Sequence, residues 1–176
     1  MKAIFGLGNI GEEYINTRHN VGFLCIDHFL KNQSPTFSKN KKLNAQIYKK
    51  DGAIFVKPNS FMNKSGEVVK KVCDFYGITI DNILVAHDDI DQKVGSFKFV
   101  SNGGSGGQKG VENIIKVFNT KNFKRVKIGI APKIYNPSLH KAQDFVLKRF
   151  SVQENEIMNN LFKTDIRETI EQFLNS

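Results

Sequence analysis

Two spacings of apolar residues alternate along the chain. Residues 1–7 are a short apolar run, the pattern of a buried strand. Residues 20–30 then place Val21, Leu24, Cys25 and Phe29 on one helix face. Residues 32–42 are polar and contain Pro35, which predicts a loop. Leu43, Ala45 and Ile47 alternate with polar positions, and residues 53–56 are again apolar. Asp51-Gly52 between them is a hairpin-turn signal. Ser65 is expected to cap a helix through Tyr76, with Val68, Val69, Val72, Cys73 and Phe75 available to the core and Gly77 as the stop. Residues 82–86 form the most apolar strand, expected at the sheet centre, and run out into His87-Asp88-Asp89-Ile90-Asp91. Residues 94–100 predict a further strand. The glycine loop at 102–107 opens a helix with Val111, Ile114, Ile115 and Phe118 on one face. A strand over 125–131, a loop over 132–137 and helices over 138–148 and 151–174 complete the chain. Ser151-Val152-Gln153-Glu154 is a capping box for the last of these. There is no internal repeat and no linker for a second domain. The pattern predicts one α/β domain over residues 1–176, a mixed twisted β-sheet flanked by helices.

Composition narrows the class. A hydrophobic fraction of 40% with 15 Phe supports a packed core rather than a disordered chain. Lys and Arg number 26 against 17 Asp and Glu, a net charge of +9, which favours a polyanionic partner, nucleic acid first. Cys25 and Cys73 lack zinc or C-x-x-C spacing and read as reduced core thiols of a cytosolic protein. The N-terminal apolar run is broken at once by Gly6, Gly8 and Asn9, unlike a signal peptide. No segment approaches the roughly 20 apolar residues of a membrane span.

Three polar loops follow strands and are candidates to converge on one cleft at the carboxyl ends of the sheet. They are residues 8–20, residues 57–65, and His87 to Asp91 together with the glycine loop reaching Gly110. His19 is the leading candidate base, because imidazole exchanges a proton near neutral pH. An isolated histidine is more often a surface or capping residue; the polar neighbours on both sides of His19 raise its standing. Gly6-x-Gly8-x-x-Gly11 formally matches a dinucleotide fingerprint, yet no helix follows at once, and the acidic residue expected about 20 positions on at the end of a second strand is missing, since Asp27 falls inside the predicted helix. The glycine loop is not a Walker loop, although with Lys98 and Lys109 nearby it suits a phosphate. His87-Asp88-Asp89-x-Asp91 is a weak metal pattern, and a carboxylate holding an imidazole is its better use. Ser65 and Cys25 lack a nucleophile elbow.

Taken together, these stretches resemble bacterial peptidyl-tRNA hydrolase. The family pattern G-L-G-N-P-G-x-x-Y-x-x-T-R-H-N-x-G reads GLGNIGEEYINTRHNVG here, and K-P-x-x-F-M-N-x-S-G reads KPNSFMNKSG. HDDID, GGSGGQKG and FKRVKIGI follow in register. The resemblance implies a monomeric, cytoplasmic, metal-free and cofactor-free enzyme that cleaves the ester of peptidyl-tRNA and frees the tRNA for translation. It implies His19 as general base, Asp88 as its support and Asn9 as the group favouring N-blocked substrate. Tyr14, Phe61, Met62 and Asn63 would line the substrate site, and Lys98, Lys109 and Lys127 would meet substrate or tRNA. Three departures stand out: Ile10 for Pro, Gln108-Lys109 for His-Asn, and Lys127 for Arg. Two further readings are a non-catalytic RNA-binding relative, against which the retained His19 and Asp88 argue, and a nucleotide-dependent oxidoreductase.

Overall fold

The computed structural model describes residues 1–176 as alternating strands and helices. In chain order these are β1 (Lys2–Gly6), α1 (Val21–Leu30), β2 (Ser38–Asn40), β3 (Ala45–Lys50), β4 (Ala53–Pro58), α2 (Ser65–Tyr76) and β5 (Ile83–Lys93). Then come β6 (Phe97–Val100), α3 (Lys109–Phe118), β7 (Lys124–Ala131), α4 (Gln143–Val146), α5 (Val152–Lys163) and α6 (Asp165–Asn175). The strands form one seven-stranded sheet in the order β2-β3-β4-β1-β5-β7-β6. The central strands β4, β1, β5 and β7 run parallel, while β2, β3 and β6 add antiparallel edges. The β3–β4 hairpin turns at Asp51 and Gly52, both with positive φ, as a two-residue turn matched to strand twist requires.

The parallel strands are covered on both faces, so their residues divide by parity. Ile4, Leu84, Ala86 and Val126 pack with α1, α5 and α6 residues such as Phe29, Phe162 and Ile170. Ala3, Phe5, Ile83 and Val85 pack on the other side with Val69 and Val72 of α2 and Ile114 of α3. Cys25 and Cys73 are free thiols inside these two cores.

Several local expectations give way. The strand expected to end at Ala86 continues to Lys93, because β7 pairs His87, Asp88 and Asp89 with Lys127, Ile128 and Gly129. The polar motif is therefore strand, not loop. Residues 94–100 yield only a four-residue β6 after a turn. The helix expected over 138–148 shrinks to α4, and the one over 151–174 breaks at Thr164 into α5 and α6. Ser65 is wholly buried rather than a cap: the cap position is Lys64, with no side-chain bond, where a 3-10 turn runs straight into α2. Phe75 is 65% exposed, on the face of α2 turned from the sheet.

One close approach sets the site. A Cβ on Gly22 would lie 2.4 Å from both Leu7 N and Ala86 O, and one on Gly6 would lie 2.3 Å from Gly22 O. Helix α1 thus starts in backbone contact with the end of β1 and with β5 at Ala86. That brings the turn before it, Arg18–Asn20, over the end of the sheet.

Candidate active site

The three polar segments meet at one cleft of about 730 Å³. Asn9 and His19 come from the first loop, Phe61, Met62 and Asn63 from the second, and His87, Asp88, Asp89 and residues 105–109 from the third. A fourth wall, Lys141, Ala142, Gln143, Val146 and Leu147 around α4, has no motif to announce it. Its one cue is apolar side chains left outside the core, Leu147 among them.

At its floor His19 Nδ1 lies 2.7 Å from Asp88 Oδ2. Asp88 is buried and His19 nearly so, with one edge of the ring on the cleft. A carboxylate only accepts, so Nδ1 carries the proton and Nε2 is left as the basic nitrogen. Beside the pair, Asn9 Oδ1 accepts from Met62 N–H at 2.7 Å. Asn9 N–H donates to Asn20 Oδ1, and Asn20 Nδ2 donates to Asn9 O, each at 2.9 Å. With its oxygen engaged, the Asn9 side chain offers its Nδ2 donor to the cleft.

The pair is held from behind. Arg18, buried beside His19, donates to Ile130 O at 2.9 Å and Glu154 Oε2 at 2.6 Å, and lies over the Phe150 ring. Glu154 also closes the expected capping box with Ser151. Burial would raise its carboxyl, but bonds from Arg18 and Ser151 outweigh that and hold it below the usual range. Arg125 is likewise structural: it donates to Gly104 O at 2.9 Å and Gly103 O at 2.7 Å, fixing the glycine loop to β7.

The other motif residues separate. His87 is buried with Nδ1 on Asp88 O, and burial pushes its imidazole down to about 4. Asp89 receives Gln92 Nε2 at 2.7 Å and pairs with Lys127 at 3.0 Å. Burial alone would raise Asp89; those bonds lower it. Asp91 is exposed. No three His, Cys, Asp or Glu side chains gather in metal-ligating geometry. Burial pushes the Cys25 thiol up to about 12, so it is no nucleophile, and Ser65 Oγ meets only Met62 Sδ at 4.0 Å. Gly11 leads into a 3-10 turn rather than a helix, so no helix end faces a pyrophosphate there.

Phe61, 52% exposed, stands at the lip, and Tyr14 meets its ring edge-on at 6.3 Å, behind the lining. Lys109 lies on the cleft at the first position of α3. Lys127 lines it too, already paired with Asp89. Lys98 lies outside the lining, on edge strand β6 opposite Lys127. Gln108, which sequence reasoning treated only as a departure, proves buried against Asp88.

Fold and site together define a class: an enzyme of α/β architecture whose cleft carries an imidazole–carboxylate pair suited to general acid–base chemistry. The family described as peptidyl-tRNA hydrolase matches residues 3–176. The peptidyl-tRNA hydrolase of Malacoplasma penetrans is 42% identical over 177 residues, covering 98% of this chain and 90% of that protein. That of Lactobacillus johnsonii is 38% identical, covering 93% and 88%. A solved variant of the Acinetobacter baumannii enzyme matches with TM-score 0.85 at 27% identity, covering 99% of this chain and 93% of that one. This chain belongs to the peptidyl-tRNA hydrolase family, hydrolases that act on ester bonds. No helix is long and apolar enough to cross a membrane.

Proposed function

We propose that this chain hydrolyses the ester joining peptide to tRNA in peptidyl-tRNA, with His19 as the general base. The observation that carries the reading is the 2.7 Å contact between His19 Nδ1 and Asp88 Oδ2 at the floor of an open cleft. His19 Nε2 takes a proton from a water as its oxygen bonds to the ester carbonyl carbon. The tetrahedral intermediate then expels the ribose oxygen, which receives that proton. Asp88 keeps the tautomer and stabilises the imidazolium. Asn9 Nδ2, and Asn63 on the same cleft, are donors for the carbonyl oxygen as charge develops. Phe61 and Tyr14 offer an aromatic surface to a base or a peptide side chain. Lys98, Lys109 and Lys127 supply positive charge for phosphate or carbonyl oxygen. The enzyme acts as a monomer in the cytoplasm, without metal or cofactor.

The test is release of tRNA from an N-blocked aminoacyl-tRNA in EDTA, beside the unblocked form, with His19→Ala as control. Only the blocked substrate is expected to be cleaved, and the variant should lose about 10²- to 10⁴-fold in turnover while folding normally. Undiminished turnover in the variant would remove His19 from the mechanism. Activity lost in EDTA and restored by a divalent ion would overturn metal independence. Binding of tRNA without cleavage would make the chain an RNA-binding relative.

A further inference from the structure

Besides His87 and Asp88, the cleft has a third buried polar side chain, Gln108. Gln108 is 8% exposed and stands where the glycine loop becomes α3. Its Oε1 accepts from Val111 N–H at 2.7 Å, capping the helix. Its Nε2 donates to Asp88 Oδ1 at 2.9 Å and meets Met62 Sδ at 3.1 Å. The amide can stand only one way round. Flipped, its oxygen would face a carboxylate and its NH₂ would face an N–H, repulsive on both sides.

These bonds complete a ring around the cleft floor. His19 joins Asp88, Asp88 joins Gln108, Gln108 joins Met62, Met62 N–H joins Asn9, and Asn9 joins Asn20, the chain neighbour of His19. Both carboxylate oxygens of Asp88 are thereby assigned, Oδ2 to the imidazole and Oδ1 to the amide. Rotating the carboxylate would break both bonds at once.

We propose that Gln108 is a positioning residue that fixes the carboxylate of Asp88, and through it the ring of His19, with a donor that carries no charge and does not titrate. The inference rests on the assignment of His19 as general base. A neutral donor holds Oδ1 without cancelling the negative charge that stabilises the imidazolium, which a cationic donor would do. It also adds no proton equilibrium of its own.

Capping and positioning can be separated because they use different atoms. Gln108→Ser keeps a good cap residue but is too short to reach Asp88. Gln108→Glu keeps the length and the capping oxygen but sets a second carboxylate against Asp88, so that one of the two must hold a proton. The measurements are kcat and KM on an N-blocked aminoacyl-tRNA across pH, thermal melting, and the far-downfield Nδ1–H proton resonance of His19. Gln108→Ser is expected to melt as the wild type does, lose about tenfold or more in kcat with little change in KM, and lose or broaden that resonance. Gln108→Glu is expected to shift the pH profile of kcat. Wild-type kcat and resonance in Gln108→Ser, with a wild-type profile in Gln108→Glu, would reduce Gln108 to a helix cap and overturn the proposal. The resonance needs no turnover. If the wild type fails to cleave the ester yet the signal vanishes in Gln108→Ser, the activity reading falls and the positioning role stands.

Discussion

His87 and Asp88 are neighbours in β5, and the pleat sends them to opposite fates. Asp88 reaches His19 and Gln108, while His87 is buried with Nδ1 on its own strand's backbone and Nε2 unpartnered. Motif spacing alone left Asp88, Asp89 and Asp91 equivalent; their geometry separates them, since Asp89 is taken by Gln92 and Lys127 and Asp91 faces solvent. His87 carries a prediction at this scale. Burial holds it down to about 4, against 6.5 for a free imidazole. Between those values the unfolded chain binds a proton that the folded chain refuses, so stability falls as pH falls through that window, by up to about 3 kcal/mol. Melting temperature should drop steeply from about pH 7 to about pH 4.5, and His87→Leu should flatten the slope. A slope equally steep in the variant would assign the acid sensitivity to other groups. His28, also lowered chiefly by burial, is the first to examine in that window; Glu154 and Asp89, held low by their partners, lose their contribution only at lower pH, below the usual carboxylate range.

At the scale of elements, the site depends on how closely α1 sits on the sheet. Gly22→Ala would ordinarily help a helix by up to about 1 kcal/mol. Here the new Cβ would sit 2.4 Å from Leu7 N and Ala86 O, backbone atoms that cannot swing aside. Overpacking of this kind costs about 1–3 kcal/mol, so the clash wins. The substitution should lower the melting temperature and, by lifting α1, separate His19 from Asp88 and depress kcat. Unchanged turnover with unchanged stability would show that α1 can rise without disturbing the pair. Helix and strand spacing made α1, α2, α3 and the β3–β4 hairpin legible in advance, because the periodicity and turn residues that define them are local. The break at Thr164 was not legible, since no Gly or Pro marks it and it follows from docking α5 and α6 on the same face. The length of β5 was not legible either: its polar end is a strand only because β7 lies alongside.

For the whole molecule, charge is the property that reaches furthest. A net +9 with Lys98, Lys109 and Lys127 at or near the cleft predicts tRNA affinity that falls steeply with salt. The expected slope of log affinity against log salt is about −0.7 for each single-strand phosphate contact, measured by anisotropy with labelled tRNA. A flat response would detach the basic charge from binding. By itself the sequence determined the α/β class, the β3–β4 hairpin, the capping box and which polar segments supply the cleft. Each of these is written in short-range spacing and in the preferences of a few turn and cap residues. Only the tertiary structure decided which aspartate meets His19, that Lys127 is already paired, that Gln108 backs Asp88, and that residues around α4 wall the cleft. Those outcomes depend on strand order, register and the angle at which a helix meets the sheet, and residues far apart in the chain become neighbours only once the sheet has closed around them.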